Sequence, residues 1–307
     1  MKRRIFYKDT LTHCYQRTAD GGLLFYSHSD YLVYFTIYCV KARKYGISVL
    51  ELCQMPDHVH DSIIAHCQSQ IENFKRETNC GFSREWNERC KTKGPVMESP
   101  FGSAPKLGDK KARTNLIYVG NNPVERKMVQ QAEEYRWNYL AYAVSKHPFS
   151  EKLVIRRSRW PLQKAVKEVK RQFRNGMPVN YAMHQRLYAP LNKGERLQLT
   201  DFIISTYNVI DYKRAIQLFG SYEKMISAMH VTTGSEYDLN EVSVGRSDAH
   251  YVRMASILLK EYGLKDIHEI LSMPSDMKFD MFILLSGKTD ALPEQIAKFL
   301  HLPLSKA

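Results

Sequence analysis

Residues 47 to 65 read Ile47-Ser48-Val49-Leu50-Glu51-Leu52-Cys53-Gln54-Met55-Pro56-Asp57-His58-Val59-His60-Asp61-Ser62-Ile63-Ile64-Ala65. Two apolar runs flank a Pro56-Asp57 bend, a pattern that predicts strand, turn, strand. His58 and His60 stand two apart where the second strand begins. Side chains at i and i+2 of a strand share a face, so both imidazoles can address one point and bind one divalent ion. The competing reading is that two histidines fall close together, one at the bend and one packed.

Working outward, residues 11 to 17 predict a first strand and Asp20-Gly21-Gly22 a turn. Ser29 and Asp30 are placed to cap a helix that runs to about Lys44 and stops at Tyr45-Gly46. Beyond the histidines, residues 69 to 77 resume a helix. The order strand, helix, strand, strand, helix predicts an α+β fold with a ferredoxin-like core, an antiparallel sheet covered by helices on one face. Residues 80 to 108 are rich in glycine and proline, have little periodicity, and read as a long irregular segment carrying Arg84, Arg89, Lys91, Lys93 and Lys106.

Residues 109 to 121 predict a helix, with Asn122 before Pro123 at its end and a short turn of helix following. Tyr118 and Asn122, four apart, share a face of it. Beside two histidines, the Asn122 amide oxygen is a candidate third ligand and Tyr118 a phenol held one turn away. Alone, the same pair reads as a helix cap and a buried aromatic. A boundary is expected near residue 148, giving a domain over 1–148 and a basic, mainly helical region over 149–307.

The chain has 307 residues, with 45 Lys and Arg against 32 Asp and Glu, a formal charge of +13. That excess favours a polyanionic partner, nucleic acid first. It gathers in an arm with Lys2, Arg3, Arg4 and Lys8, and over residues 151–176, where nine basic side chains face two acidic ones. Trp160-Pro161 opens a basic amphipathic helix there, with Ala165, Val166 and Val169 as its apolar stripe. A membrane is not expected, because no apolar run approaches a span and the N-terminus lacks a signal-peptide core. Six cysteines without a CxxC pair argue against a zinc knuckle and suit reduced thiols. From residue 177 onward short helices follow, among them 197–207, 212–218, 222–230, 248–261 and 293–300. A connector is expected at 234–238.

Met55-Pro56-Asp57-His58-Val59-His60 resembles the His-hydrophobe-His motif of the single-tyrosine HUH transposases, and Tyr118-Val119-Gly120-Asn121-Asn122-Pro123-Val124 resembles their tyrosine segment. With His13-Cys14-Tyr15-Gln16-Arg17 and Tyr135-Arg136-Trp137-Asn138, the pattern is similar to the REP-associated tyrosine transposases over roughly residues 3 to 143. The resemblance implies cleavage and rejoining of single-stranded or hairpin DNA. Tyr118 would be the nucleophile forming a 5′-phosphotyrosine, and His58, His60 and Asn122 would bind magnesium or manganese. Asp57 stands where asparagine is common and is a candidate partner orienting an imidazole. Arg3, Arg4, Arg17, Lys106, Arg156, Arg157, Lys164, Lys167, Lys170 and Arg171 are candidates for the DNA backbone. Tyr135 and Tyr139 are the reserve nucleophiles. A cytoplasmic, nucleoid-associated protein is expected, with a possible homodimer and no nucleotide cofactor. The alternatives are an inactive, domesticated hairpin-binding regulator, and a metal-dependent phosphoesterase that uses water.

Overall fold

The structure, a computed structural model, describes residues 5–231 and 247–303. Its first part runs β1 (Thr12–Arg17), α1 (His28–Lys44), β2 (Ser48–Met55), β3 (His58–Ile64), α2 (Gln68–Cys90), β4 (Gly102–Pro105) and α3 (Gly108–Glu125). The four strands form one antiparallel sheet in the order β2-β3-β1-β4. That is the ferredoxin-like arrangement expected from the element order. Short 3-10 turns follow between residues 132 and 143, and the chain beyond them is helical.

Strand alternation decides what each face of the sheet meets. Asp61 on β3 receives Tyr38 Oη of α1 at 2.8 Å and Lys75 Nζ of α2 at 2.5 Å, so the odd residues of β3 face α1 and α2. Ser62 receives Asn115 Nδ2 of α3 at 2.7 Å, so His58, His60 and Ser62 face α3. Helices therefore cover both faces, where the sequence pattern suggested one.

Three local readings change. α1 is capped by Ser27, not Ser29; Asp30 sits at its third position and accepts the backbone N–H groups of Tyr26 and Ser27 at 2.8 and 2.7 Å. The segment from residue 80 is not irregular at its start, because α2 continues to Cys90. Phe74, Thr78, Phe82, Trp86 and Cys90 recur every four residues and are all buried, a stripe that carries the helix through Gly81. A side chain at Gly81 would crowd Ile37 of α1, its Cβ falling 3.2 Å from Ile37 Cγ2. Likewise α3 does not stop at Asn122. Pro123 lies inside it, and Arg126 is the C-cap.

Gly120 lets α3 approach the sheet. A Cβ there would stand 2.9 Å from both Glu51 Oε1 and Met229 Cε. A bulge between Val49 and Glu51 shifts the register of β2, so Glu51 lies opposite Ser62. Both Glu51 carboxyl oxygens are buried with no hydrogen-bond partner among the described residues.

The later helices are α4 (Trp160–Arg174), α5 (Tyr181–Tyr188), α6 (Lys193–Tyr207), α7 (Tyr212–Gln217), α8 (Tyr222–Val231), α9 (His250–Glu261), α10 (Ser275–Lys288) and α11 (Pro293–Leu300). Helix α6 packs on α1, and α4 packs on α6. Asp30 of α1 accepts Tyr181 Oη at 2.8 Å and His268 Nε2 at 3.0 Å, joining α1 to two segments beyond residue 180. Thr36 of α1 likewise exchanges hydrogen bonds with the Val179 backbone. One buried apolar cluster runs across the boundary expected near residue 148. Cys14, Cys39, Cys53 and Cys90 are buried and Cys67 and Cys80 exposed, all as free thiols. Among the described residues no helix is long and apolar enough to cross a membrane. The expected connector at 234–238, and the arm with Arg3 and Arg4, lie outside the described residues.

Lys75 and Asp61 form a buried ion pair. Lys75→Met leaves an uncompensated carboxylate and is expected to cost about 3–5 kcal/mol in urea unfolding. Burial pushes the Glu51 carboxyl well above its ordinary value of 4.5. As pH rises through that ordinary value the unfolded chain releases the proton and the folded chain keeps it, so Glu51 costs stability with rising pH. Glu51→Gln is expected to raise the thermal midpoint near neutral pH and to leave it unchanged below about pH 4.

Candidate active site

The hairpin β2–β3 turns at Pro56-Asp57, which delivers His58 and His60 to the α3 side of the sheet. Both side chains are buried, His58 at 3% exposure and His60 at 1%. Their ring centroids are 4.7 Å apart and nearly perpendicular. Across the strand pair, β1 places Tyr15 opposite His60 and Arg17 opposite His58, and its His13 lies on the same face.

Hydrogen bonds orient both imidazoles. Asp57 Oδ1 lies 2.6 Å from His58 Nδ1. Burial pushes the Asp57 carboxyl up, but His58 and Lys298 outweigh it and hold it well below the usual carboxylate range. An ionised carboxylate only accepts, so His58 Nδ1 donates to it, and in the neutral ring the lone pair is then on Nε2. His60 Nδ1 lies 3.0 Å from His13 Nε2. Burial above all pushes His60 well below the ordinary imidazole range. Burial, with Lys106 and Lys75, lowers His13 to about 3. Two neutral rings share one proton in this bond, and with it on His60 Nδ1 the second lone pair is again on Nε2. The Nε2 atoms of His58 and His60 are both buried without a partner among the described residues. Such orphaned acceptors are rare in folded proteins, and two of them on neighbouring imidazoles fit a divalent ion. Among the described residues no three His, Cys, Asp or Glu side chains are grouped to hold a metal.

Helix α3 brings Tyr118 to the same place. Its ring stands edge-on to His60 at 5.6 Å and to His13 at 5.7 Å. Asn122 is buried one helical turn further on, and its Nδ2 donates to the Tyr118 carbonyl at 2.9 Å. Its amide oxygen is the ligand atom it has to offer.

The tertiary structure thus gathers His58, His60, Asp57 and Tyr118, with Asn122 on the same helix as Tyr118. Of the expected DNA contacts, Arg17 is exposed beside His58, and Lys106 is half-buried just past β4, near enough to His13 to lower its pKa. Arg156, Arg157, Lys164, Lys167, Lys170 and Arg171 are exposed on or before α4. Helix α4 packs on α6 and α6 on α1, and α1 lies on the sheet face opposite the histidines. Tyr135 and Tyr139 do not face the site. Both hydroxyls bond Gln54, which pairs with Val59 on the α1 side, and burial pushes both well above the ordinary phenol range. Sequence reasoning passed over His13, although the two-residue period of β1 puts it on the face of Tyr15 and Arg17. It also passed over Lys298, for which no local signal exists.

No protein-family description matches the chain, and no curated protein matches it. Among solved structures, the chain is similar to one described as the REP-associated tyrosine transposase bound to a REP hairpin. The two share 16% identity with a TM-score of 0.41, over 47% of this chain and 84% of that one.

The Tyr118 ring is 6% exposed. Tyr118→Phe keeps its edge contacts and is expected to lose no more than about 1.5 kcal/mol in thermal or urea unfolding. Tyr118→Ala is expected to lose about 3–5 kcal/mol.

Proposed function

We propose that this chain cuts and rejoins single-stranded or hairpin DNA through a covalent link to Tyr118, with a divalent ion at His58 and His60. The observation that carries the reading is the pair of buried, unpartnered Nε2 atoms beside the edge-on Tyr118 ring. The sequence resemblance supports it through the same residues.

The chemistry follows from the groups present. Tyr118 Oη attacks a backbone phosphorus, the bond to the 3′-oxygen breaks, and that oxygen leaves as a 3′-hydroxyl. The phenolic proton passes to water or a substrate phosphate, since the two imidazoles are committed as ligands. The product is a 5′-phosphotyrosine that keeps the energy of the broken bond, so a later 3′-hydroxyl rejoins DNA by the reverse displacement. A neutral phenol, with a pKa near 10, is a weak nucleophile. Magnesium or manganese bound by His58 and His60, with the Asn122 amide oxygen, supplies Lewis-acid polarisation of the scissile phosphate. Asp57 keeps the His58 ring turned toward the site, and the sheet and α3 shield the Tyr118 ring. Arg17 and Lys106 provide positive charge nearby. The exposed cations of α4 provide a further contact for the phosphate backbone.

The test is incubation with end-labelled hairpin DNA and manganese, followed by denaturation. A covalent adduct carrying the label 3′ of the break is expected. It should be lost with chelator, with Tyr118→Phe, and with His58→Ala combined with His60→Ala. Turnover without an adduct would assign the attack to water. Hairpin binding that survives every substitution without cleavage would make the protein a regulator.

A further inference from the structure

Helix α11 carries a charged group from near the C-terminal end into the site. Lys298 Nζ donates to Asp57 Oδ2, 241 positions away in sequence. The other oxygen of the same carboxylate, Oδ1, accepts from His58 Nδ1 at 2.6 Å. Lys298, Asp57 and His58 thus form a continuous chain that ends at His58 Nε2, which has no hydrogen-bond partner among the described residues.

The backbone that delivers Lys298 is anchored on both sides of it. Gln295 Nε2 donates to the Ser247 carbonyl at 2.8 Å, and Tyr26 Oη donates to the Phe299 carbonyl at 3.1 Å. The Phe299 ring packs between Tyr26 and Tyr251. His301 Nδ1 lies 3.3 Å from Asp20 Oδ2. Four attachments around one ammonium make its position a property of the fold and not of a wandering side chain.

We propose that Lys298 is a positioning residue for His58. By occupying Asp57 Oδ2 it holds Oδ1 against His58 Nδ1, so that Nε2 presents its lone pair to the site. This rests on the reading of His58 as a metal-binding imidazole. The physical argument concerns the carboxylate. A nearly buried Asp57 without its ammonium would turn its carboxylate toward water, and that rotation removes the acceptor from His58 Nδ1. The His58 proton would then be free to sit on Nε2, and an N–H cannot ligate a metal. The region after residue 148 is therefore part of the active site.

The test uses the full-length chain as wild type, Lys298→Met, Lys298→Arg and, as a same-helix comparison, Glu294→Gln. Two-bond proton–nitrogen correlations of the metal-free protein report which nitrogen of His58 carries the proton. Wild type, Lys298→Arg and Glu294→Gln are expected to be protonated at Nδ1, and Lys298→Met to shift toward Nε2. Manganese affinity, read by titration, is expected to fall about tenfold in Lys298→Met and to return in Lys298→Arg. Lys298→Gln takes the place of the Met variant if the latter does not fold. The same His58 tautomer in wild type and Lys298→Met overturns the proposal. A wild type that binds no manganese overturns the metal reading, while the tautomer comparison still decides the role of Lys298.

Discussion

Everything in this molecule is ordered by the alternation along β3. Val59, Asp61 and Ile63 are turned to α1 and α2, and His58, His60 and Ser62 to α3. The Asp61 carboxylate, held by Lys75 and Tyr38, makes that choice hard to reverse. A slip of one residue would drive a carboxylate against α3 and bury two imidazoles among the Tyr38 and Phe74 rings. Structural and chemical polar groups of one strand are thereby kept on opposite faces. The ion pair serves as a register lock for the histidines beside it.

The second constraint is how closely α3 lies on the sheet. Gly120 removes the side chain that would meet Glu51 and Met229, and the bulge in β2 turns Glu51 into the space beside that glycine. The close approach sets the Tyr118 ring edge-on to His60 and His13. The intrinsic helix cost of a glycine, about 0.5–1 kcal/mol, is the accompaniment of a placement that a larger residue would forbid. Pro123 is accommodated in the last turn of the same helix, close to where the helix would end in any case.

The later helices are tied to the core by polar contacts as well as apolar packing. Asp30 gathers Tyr181 and His268, Asp201 gathers Arg136, Tyr142 and Ser150, and Asp57 receives Lys298. Each is a largely buried carboxylate of one half that accepts from at least one donor of the other, and each costs more to separate than an exposed pair would. The last of them reaches a candidate ligand.

Some of this was determined by the sequence alone. The strand–bend–strand around His58 and His60, the strand and helix order of the core, and the basic stripe of α4 depend on local periodicity and turn chemistry, which a few neighbouring residues encode. The spacing of His58 and His60, and of Tyr118 and Asn122, likewise put each pair on one face. The continuation of α2 to Cys90 was also written there, in the four-residue spacing of Phe74, Thr78, Phe82, Trp86 and Cys90, but the glycines and prolines around it obscured it. Only the tertiary structure decided that α3 covers the histidine face, that His13 joins His60, and that α4 packs on α6. It alone brought Lys298 to Asp57. The reason is physical: local pattern encodes which face a side chain takes on its own element, whereas the element it meets is set by packing between segments distant in sequence, 47 residues apart for His13 and His60 and 241 for Asp57 and Lys298.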